Sequence, residues 1–465
     1  MINKFYKQNI SIIILALFPL IFSNTLQSYT KVFLDTDIKT SYIDYSNLDF
    51  ELNSSSKNID NYNFIYSYLN IALKTEIQGV DNLEVCTKLS SLGKWGSGNS
   101  YYVLSSSLSV IEPYYWWEKS LPYPYTDFTP FISELYTKYT YTFTNPVNKL
   151  RQYVEEIPLT VKLGRQEIEI VDGVVVGKNG MGLDALNISF TLDKYFYFET
   201  FMSRAVAEII TTRTPLSENR NYIIYGSVYG TKYSDDYDFG ISNIVEENNF
   251  LQDKKIFTEY FIKHTKENLY YVFEYAQQNG QKGKDIIYSG SVYYFKAGLS
   301  GGGSRLLGKS NVDIIWILTS GCDEGKVFAP TFGKLYDGLE PTGFGDFAAG
   351  STQNLFFGMP EGYSGMFILG MKLKVNPLKN FFPGFNYFLY SSPEAYADKP
   401  DASYTEQMLG AKKAIGIEYG LTAEYVVSNY IKLNLEYIVF DPTANVYNSK
   451  GNPAYKLKLA SQVKF

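Results

Sequence analysis

The chain has 465 residues, 17% of them aromatic and 19% charged, with a formal net charge of -6. Two cysteines and a single histidine exclude a disulfide-stapled scaffold and a histidine-rich metal site, and leave little room for Ser-His catalysis. The aromatic excess, 43 Tyr and 32 Phe, suits an outer-membrane barrel, where rings with a polar tip form girdles at both membrane interfaces.

At the N-terminus, Lys4 and Lys7 precede the apolar run Ile10 to Phe22, the pattern of a secretory signal. Residues 1–28 are therefore read as a signal peptide, and 29–465 as one all-β transmembrane antiparallel barrel. After the signal, no run approaches the roughly 20 consecutive apolar residues of a membrane-crossing helix. Strands are predicted over 37–52, 64–78, 82–91, 130–143, 157–170, 183–192, 195–207, 221–233 and 237–246. They continue over 255–264, 268–278, 286–299, 309–319, 362–375, 378–391, 409–426, 429–441 and 453–465. That is about eighteen, an even number, as a bacterial barrel requires.

The connections follow the same rhythm. If the first strand runs outward, the even-numbered connections are periplasmic turns, and most are short: Gly79 to Asn82, Asp193-Lys194, Ser234 to Asp236, Thr265 to Glu267, Asn376-Pro377 and Val427-Ser428. Thr144 to Glu156 and the segment around Gly301-Gly302-Gly303 are longer. The odd-numbered connections hold the longest segments, 92–129, 320–361, 392–408 and 442–452. Both termini then lie in the periplasm.

Period-two alternation sorts the two faces. Tyr455, Leu457, Leu459, Val463 and Phe465 share one face of the last strand, while Lys456, Lys458, Gln462 and Lys464 share the other. The terminal Phe465 resembles the signal read by the outer-membrane assembly machinery, an expected partner beside membrane lipid and lipopolysaccharide. Lys or Arg facing lipid at the midplane costs about 2–4 kcal/mol, so the charged set must line a wet lumen. Expected lumen bases are Lys74, Lys138, Lys162, Lys296, Lys372, Lys374, Lys432, Lys456, Lys458 and Lys464. Expected lumen acids are Asp49, Glu51, Glu76, Glu274, Asp313, Glu418, Glu424 and Glu436. The slight excess of bases either biases the pore toward anions or merely keeps it wet.

The stretch Leu163-Gly164-Arg165-Gln166, a Gly-bearing loop, and Gly182-Leu183-Asp184-Ala185-Leu186 resembles the alginate-export family of outer-membrane porins. Met181 and Ala185 depart from that family's pattern, which has Arg and Gly there. Tyr336-Asp337-Gly338-Leu339 to Gly345-Asp346 is similar to a later segment of the family, without its His. The resemblance implies an eighteen-stranded barrel passing an acidic polysaccharide or oligosaccharide.

Counted in phase with Leu159, Val161 and Leu163, Arg165 points at lipid. A bulge at Gly164 would turn it into the lumen, paired with Asp184 or an inward Glu. Two roles stay open for it: an ion pair bracing the wall, or a carboxylate-binding rung of the path. Tyr114, Tyr115, Trp116 and Trp117 in the loop 92–129 form either a saccharide platform, an interfacial girdle or a plug. In the three-strand stretch Leu159 to Arg204, the ten-residue loop between the first two strands reads as polar and Gly-rich, and the loop 320–361 as a second constriction. Asp235, Asp236 and Asp238 read as a solvated turn rather than a Ca²⁺ site. The expected function is passive passage of a hydrophilic, anionic solute, without catalysis, cofactor, metal or nucleic acid. The alternative is a general diffusion porin or a structural or adhesive barrel without a specific substrate.

Overall fold

In the computed structural model, eighteen long antiparallel strands close into a barrel with no helix among the described residues. The structure describes residues 30–46, 61–77, 82–96, 128–145, 155–177, 182–192, 195–207, 220–234, 236–249, 252–284, 286–304, 308–320, 328, 330, 336–337, 340–341, 367–391, 414–442 and 453–465. The first six strands are β1 (Thr30–Ser46), β2 (Asn61–Ile77), β3 (Leu83–Gly96), β4 (Phe128–Asn145), β5 (Glu155–Gln166) and β6 (Leu183–Leu192). Next come β7 (Phe196–Ala207), β8 (Arg220–Ser234), β9 (Tyr237–Asn248), β10 (Asp253–Lys266), β11 (Leu269–Lys282) and β12 (Ser291–Ser304). The last six are β13 (Gly308–Thr319), β14 (Phe367–Asn376), β15 (Phe381–Ser391), β16 (Ala414–Val426), β17 (Ile431–Pro442) and β18 (Ala454–Lys464). A three-residue piece, Ile286–Tyr288, precedes β12 and pairs with the end of β11.

Each strand pairs with its neighbours in sequence, and β18 pairs back to β1 from Ser46↔Tyr455 to Asp37↔Lys464. Closure removes the two sheet edges that would otherwise expose unpaired N–H and C=O groups. Phe465 completes the seam: its N–H donates to Thr36 O at 2.9 Å, and its carbonyl accepts from Thr36 N at 3.1 Å. Its ring stands outside the wall beside Tyr430, with centroids 6.1 Å apart.

Strand boundaries differ from the sequence expectation by up to seven residues, as where the strand expected over 286–299 is Ser291–Ser304 and that over 409–426 is Ala414–Val426, and two of the differences have a clear cause. β1 starts at Thr30 rather than residue 37, because its partner β2 supplies an unbroken ladder from Ser46↔Asn61 to Thr30↔Ile77. β5 stops at Gln166 rather than residue 170, where the chain leaves the wall and turns into the barrel.

The alternation separates a lipid face from an inner face. Leu163, Met202, Leu421 and Leu459 are 48–63% exposed on the outside, an apolar display that a barrel in a bilayer requires. On the inside the wall is of two kinds. Phe201, Ile224, Val228, Ile244, Phe257, Phe261, Val272 and Ala276 make the buried inner face of β7 to β11 largely apolar, with Ser242, Glu246, Lys255, Glu259 and Glu274 buried among them. The other sector, β2 to β5 and β14 to β18, carries Lys and Glu inward. Inner-face glycines make room for rings lying flat on the wall. Gly230, Gly298 and Gly370 sit opposite Tyr197, Tyr270 and Phe388, and a Cβ on any of them would come within 2.2 Å of that ring.

Candidate functional site: the lumen and its inward loop

The connection from β5 to β6 is what the apolar sector covers. Its first half reads Glu167-Ile168-Glu169-Ile170-Val171-Asp172-Gly173-Val174-Val175-Val176. Ile168, Ile170, Val174, Val175 and Val176 are at most 5% exposed, although the sequence reading took this loop as polar. Burial of each such aliphatic side chain contributes about 1.5–3 kcal/mol, so the loop is packed inside rather than left in solvent. Ile170 N donates to Val176 O at 2.9 Å, and the reversal between them uses left-handed backbone at Val171 (φ 55°) and Gly173 (φ 88°). At its root, the Gln166 amide donates to the carbonyls of Lys162, Gly164 and Ala185 at 3.0–3.3 Å.

The tip is held on the far side of the apolar sector. Asp172 N donates to Glu274 Oε1 of β11 at 2.9 Å. Tyr294 Oη of β12 donates to the Asp172 carboxylate, and Lys296 Nζ lies 3.8 Å from it. Glu274 and its neighbour Glu259 are fully buried, and Ser242 Oγ donates to Glu259 Oε2 at 2.7 Å. The loop thus crosses the inner face from β5 to β12. A second inward contact comes from the connection between β13 and β14, where the fully buried Phe328 meets Phe257 edge-on at 5.7 Å. Only Phe328 and Pro330 of the central part of that connection, before Tyr336, are described.

The charged sector lies outside the face on which the β5–β6 loop packs. On β2 to β5, Lys74 lies 3.1 Å and Lys138 3.9 Å from Glu84, and Lys88 lies 3.2 Å from Glu134. Tyr136 Oη also donates to Glu84, at 3.1 Å. Lys162 stands over the Tyr136 ring, 3.8 Å from its centroid, and meets no carboxylate at ion-pair distance among the described residues. On β14 to β18, Lys374 pairs with Glu424 at 3.2 Å, and Glu436 sits between Lys458 at 3.4 Å and Lys456 at 3.8 Å. Lys372 lies over the Phe388 ring at 5.7 Å. Lys432 and Lys464 face inward at the turn end, in register with Gln462 and Asp37.

Several predicted site residues therefore sit where alternation places them, with two qualifications and one correction. Lys456 and Lys458 face inward but are 1% and 5% exposed, and Glu418 is fully buried beneath Tyr390, whose hydroxyl donates to it at 3.1 Å. These three are wall rather than surface. Arg165 and Asp184 are not in the lumen. Pairing through Gly164 is continuous, Tyr136↔Gly164↔Ala185, so the phase is never flipped there. The irregularity lies next door, where β4 inserts Ser133 opposite the Lys88/Leu89 step of β3. Ser133 Oγ accepts from Ser90 Oγ at 2.7 Å inside the wall, which is what that extra residue provides. Arg165 stays in phase with Leu163, on the outer face.

Tyr114, Tyr115, Trp116 and Trp117, the signal segment 1–28, Asp49 and Glu51 lie outside the described residues. The sequence reading missed Glu84, Lys88, Glu134 and Asp172. Glu84 and Lys88 were legible, since they alternate in phase with Cys86 in Leu-Glu-Val-Cys-Thr-Lys. Asp172 was not, because its partners are more than 100 residues away. His264 is nearly buried on the outer face near the turn end, between the rings of Tyr237 and Tyr271 at 4.2 and 5.1 Å. No group of three or more metal-ligating side chains forms among the described residues.

Below the loop, toward the short turns, lies a cavity of about 400 Å³. Glu169, Ser189, Glu199, Lys232, Asp238 and Lys263 contribute its polar lining. Lys232 and Lys263 flank Asp238 as its register partners on β8 and β10.

At the level of sequence, no protein family and no curated protein matches the chain. At the level of structure, the barrel is similar to solved outer-membrane proteins along nearly its whole length. A BenF-like porin from Pseudomonas fluorescens Pf-5 superposes with a TM-score of 0.55 at 9% identity, covering 94% of this chain and 98% of that one. OccAB1 of Acinetobacter baumannii gives a TM-score of 0.53 at 9% identity over 93% and 96% of the two chains. OccK9 (OpdG) of Pseudomonas aeruginosa gives 0.53 at 10% identity over 94% and 99%. At these identities the likeness is one of fold.

Proposed function

We propose that the chain is an outer-membrane channel for passive passage of small hydrophilic solutes with a preference for anions. Its long loops lie at the cell surface and both termini in the periplasm. One observation carries this reading: the inward loop packs on the β7 to β11 side of the lumen, and the wall of β2 to β5 carries inward lysines. On β2 to β5 that wall presents Lys74, Lys88, Lys138 and Lys162 against Glu84, Glu134 and, at the register position opposite Glu84, Glu76. In a low-dielectric pore, an excess of one sign concentrates the opposite ion. The porin-like fold supports the outer-membrane location, and the resemblance to alginate-export porins supports an acidic sugar as the solute. The tethered loop favours a monomer or short oligosaccharide over a polymer, which would need the Asp172 contacts released. The ion pairs themselves favour the second reading, a general diffusion pore, because each paired acid cancels a base.

Liposome swelling separates the two. With the refolded protein, galacturonate is expected to enter faster than glucose, and glucose faster than glucosamine, at equal size. Equal rates for all three would leave only the general pore.

A further inference from the structure

The outer face of β7 to β11 carries a polar stripe at mid-height. Thr200, Ser227, Asn243, Thr258 and Gln277 are successive register partners, one on each strand. They point outward, since Phe201, Val228, Ile244, Phe257 and Ala276 beside them are buried on the inner face. Apolar rows flank the stripe on both sides: Met202, Val245 and Ile256 toward the long loops, and Tyr229, Ile241 and Tyr260 toward the turns. On β9, Asn243 stands four residues from the outward Glu247 and six from Tyr237 at the turn end. A tilted strand gains about 2.5 Å of height per residue, so these steps are about 10 and 15 Å and together match an apolar band about 25 Å tall. The stripe therefore faces the middle of the bilayer. Thr258 Oγ1 donates to Asn243 Oδ1 at 3.2 Å, and Thr200 Oγ1 to Gly226 O at 3.0 Å. Asn243 makes no other hydrogen bond among the described residues, Gln277 makes none, and both side chains are exposed. Acyl chains offer such amides neither donor nor acceptor, whereas another protein surface can supply both. Just below the stripe, the outward side chains of Tyr229, Phe239, Ile241, Tyr260 and Ile262 line a hollow of about 600 Å³ in an otherwise convex wall.

We propose that this face is where two copies of the chain associate in the membrane. A two-fold axis along the membrane normal, passing between β9 and β10, sets Asn243 and Thr258 of one copy against the same pair of the other. An amide both donates and accepts, so the stripe is its own complement, as a two-fold interface requires. The hollow receives side chains of the second copy that a smooth barrel wall could not seat. The area is sufficient. Five strands about 4.8 Å apart and a band about 25 Å tall give about 600 Å² a copy, so a pair buries about 1,200 Å², the lower end of stable interfaces.

The test uses the full-length refolded barrel with one dye per chain, reconstituted in phosphatidylcholine vesicles at falling protein-to-lipid ratio. Photobleaching steps count the copies together. The wild type is expected to stay paired at dilutions where chance gives single copies. Asn243→Leu and Gln277→Leu suit lipid better than the amides they replace, and each is expected to raise the dissociation constant about three- to tenfold. Leu421→Ala, on the exposed outer face of β16, is expected to leave it unchanged. Single copies at every dilution, or pairing that both amide variants leave intact, would overturn the interface. A second readout does not depend on those variants. In a Cys86→Ser, Cys322→Ser background, Asn243→Cys at the axis is expected to form an intermolecular disulfide under mild oxidant, and Leu421→Cys none. No disulfide from Asn243→Cys, or an equal yield from both, would overturn it as well. Neither readout uses conductance, so the channel reading stands or falls separately.

Discussion

Excising Ile168 to Val176 and closing the gap with a short glycine linker is expected to raise single-channel conductance several-fold. The loop and its apolar seat occupy the inner face of β7 to β11, and removing it opens that sector to water. The barrel itself should survive, since none of the excised residues belongs to a wall ladder. A smaller change tests the tether. Glu274→Ala removes the acceptor of Asp172 N and leaves that donor and the buried Glu259 without it, a loss of about 1–3 kcal/mol for an unsatisfied buried group. The expected record is flickering between two conductance levels rather than one enlarged level. Unchanged conductance in the excised variant would mean that the narrowest point lies elsewhere, for instance at Phe328.

Reversing three charges, Lys74→Glu, Lys138→Glu and Lys162→Glu, is expected to invert ion selectivity. These ammonium groups lie together across β2, β4 and β5, around Glu84 and Tyr136. At an effective dielectric constant of about 20, a unit charge 4 Å away contributes about 4 kcal/mol. Even heavily screened, three reversals are expected to shift the chloride-to-potassium permeability ratio by about tenfold or more. Reversal potential in a KCl gradient measures this directly. Lys432→Glu at the turn-end mouth is the control, with a much weaker effect expected. A triple variant as anion-preferring as the wild type would show that the open path does not run along this wall.

Much of this barrel is legible in the sequence because its physics is local. Alternation in Ile431-Lys432-Leu433-Asn434-Leu435-Glu436 assigns both faces without knowledge of any partner strand, and the lipid penalty on charge fixes which face is wet. The contrast of short and long connections assigns the ends. Failures came where a distant contact overrides the local pattern. Ile168 and Ile170 continue the strand period of β5, yet the chain leaves the wall at Gln166 because Val174 to Val176 find an apolar seat on β7 to β11. Three consecutive valines beside a glycine were the available signal. Arg165 misled for the opposite reason. Its phase with Leu159, Val161 and Leu163 points it outward, and only a mid-bilayer position would call for a bulge to turn it inward. The strand ends one residue later, and on β5 the charge stands beyond Leu163, that strand's last outward apolar side chain, paired with Asp184.

The most direct measurement is the zero-current potential of the wild-type protein in a planar bilayer under a KCl gradient. The lysine-lined passage predicts a finite conductance and a potential displaced toward the chloride equilibrium value. A potential displaced toward potassium, or a barrel that carries no current, would contradict it.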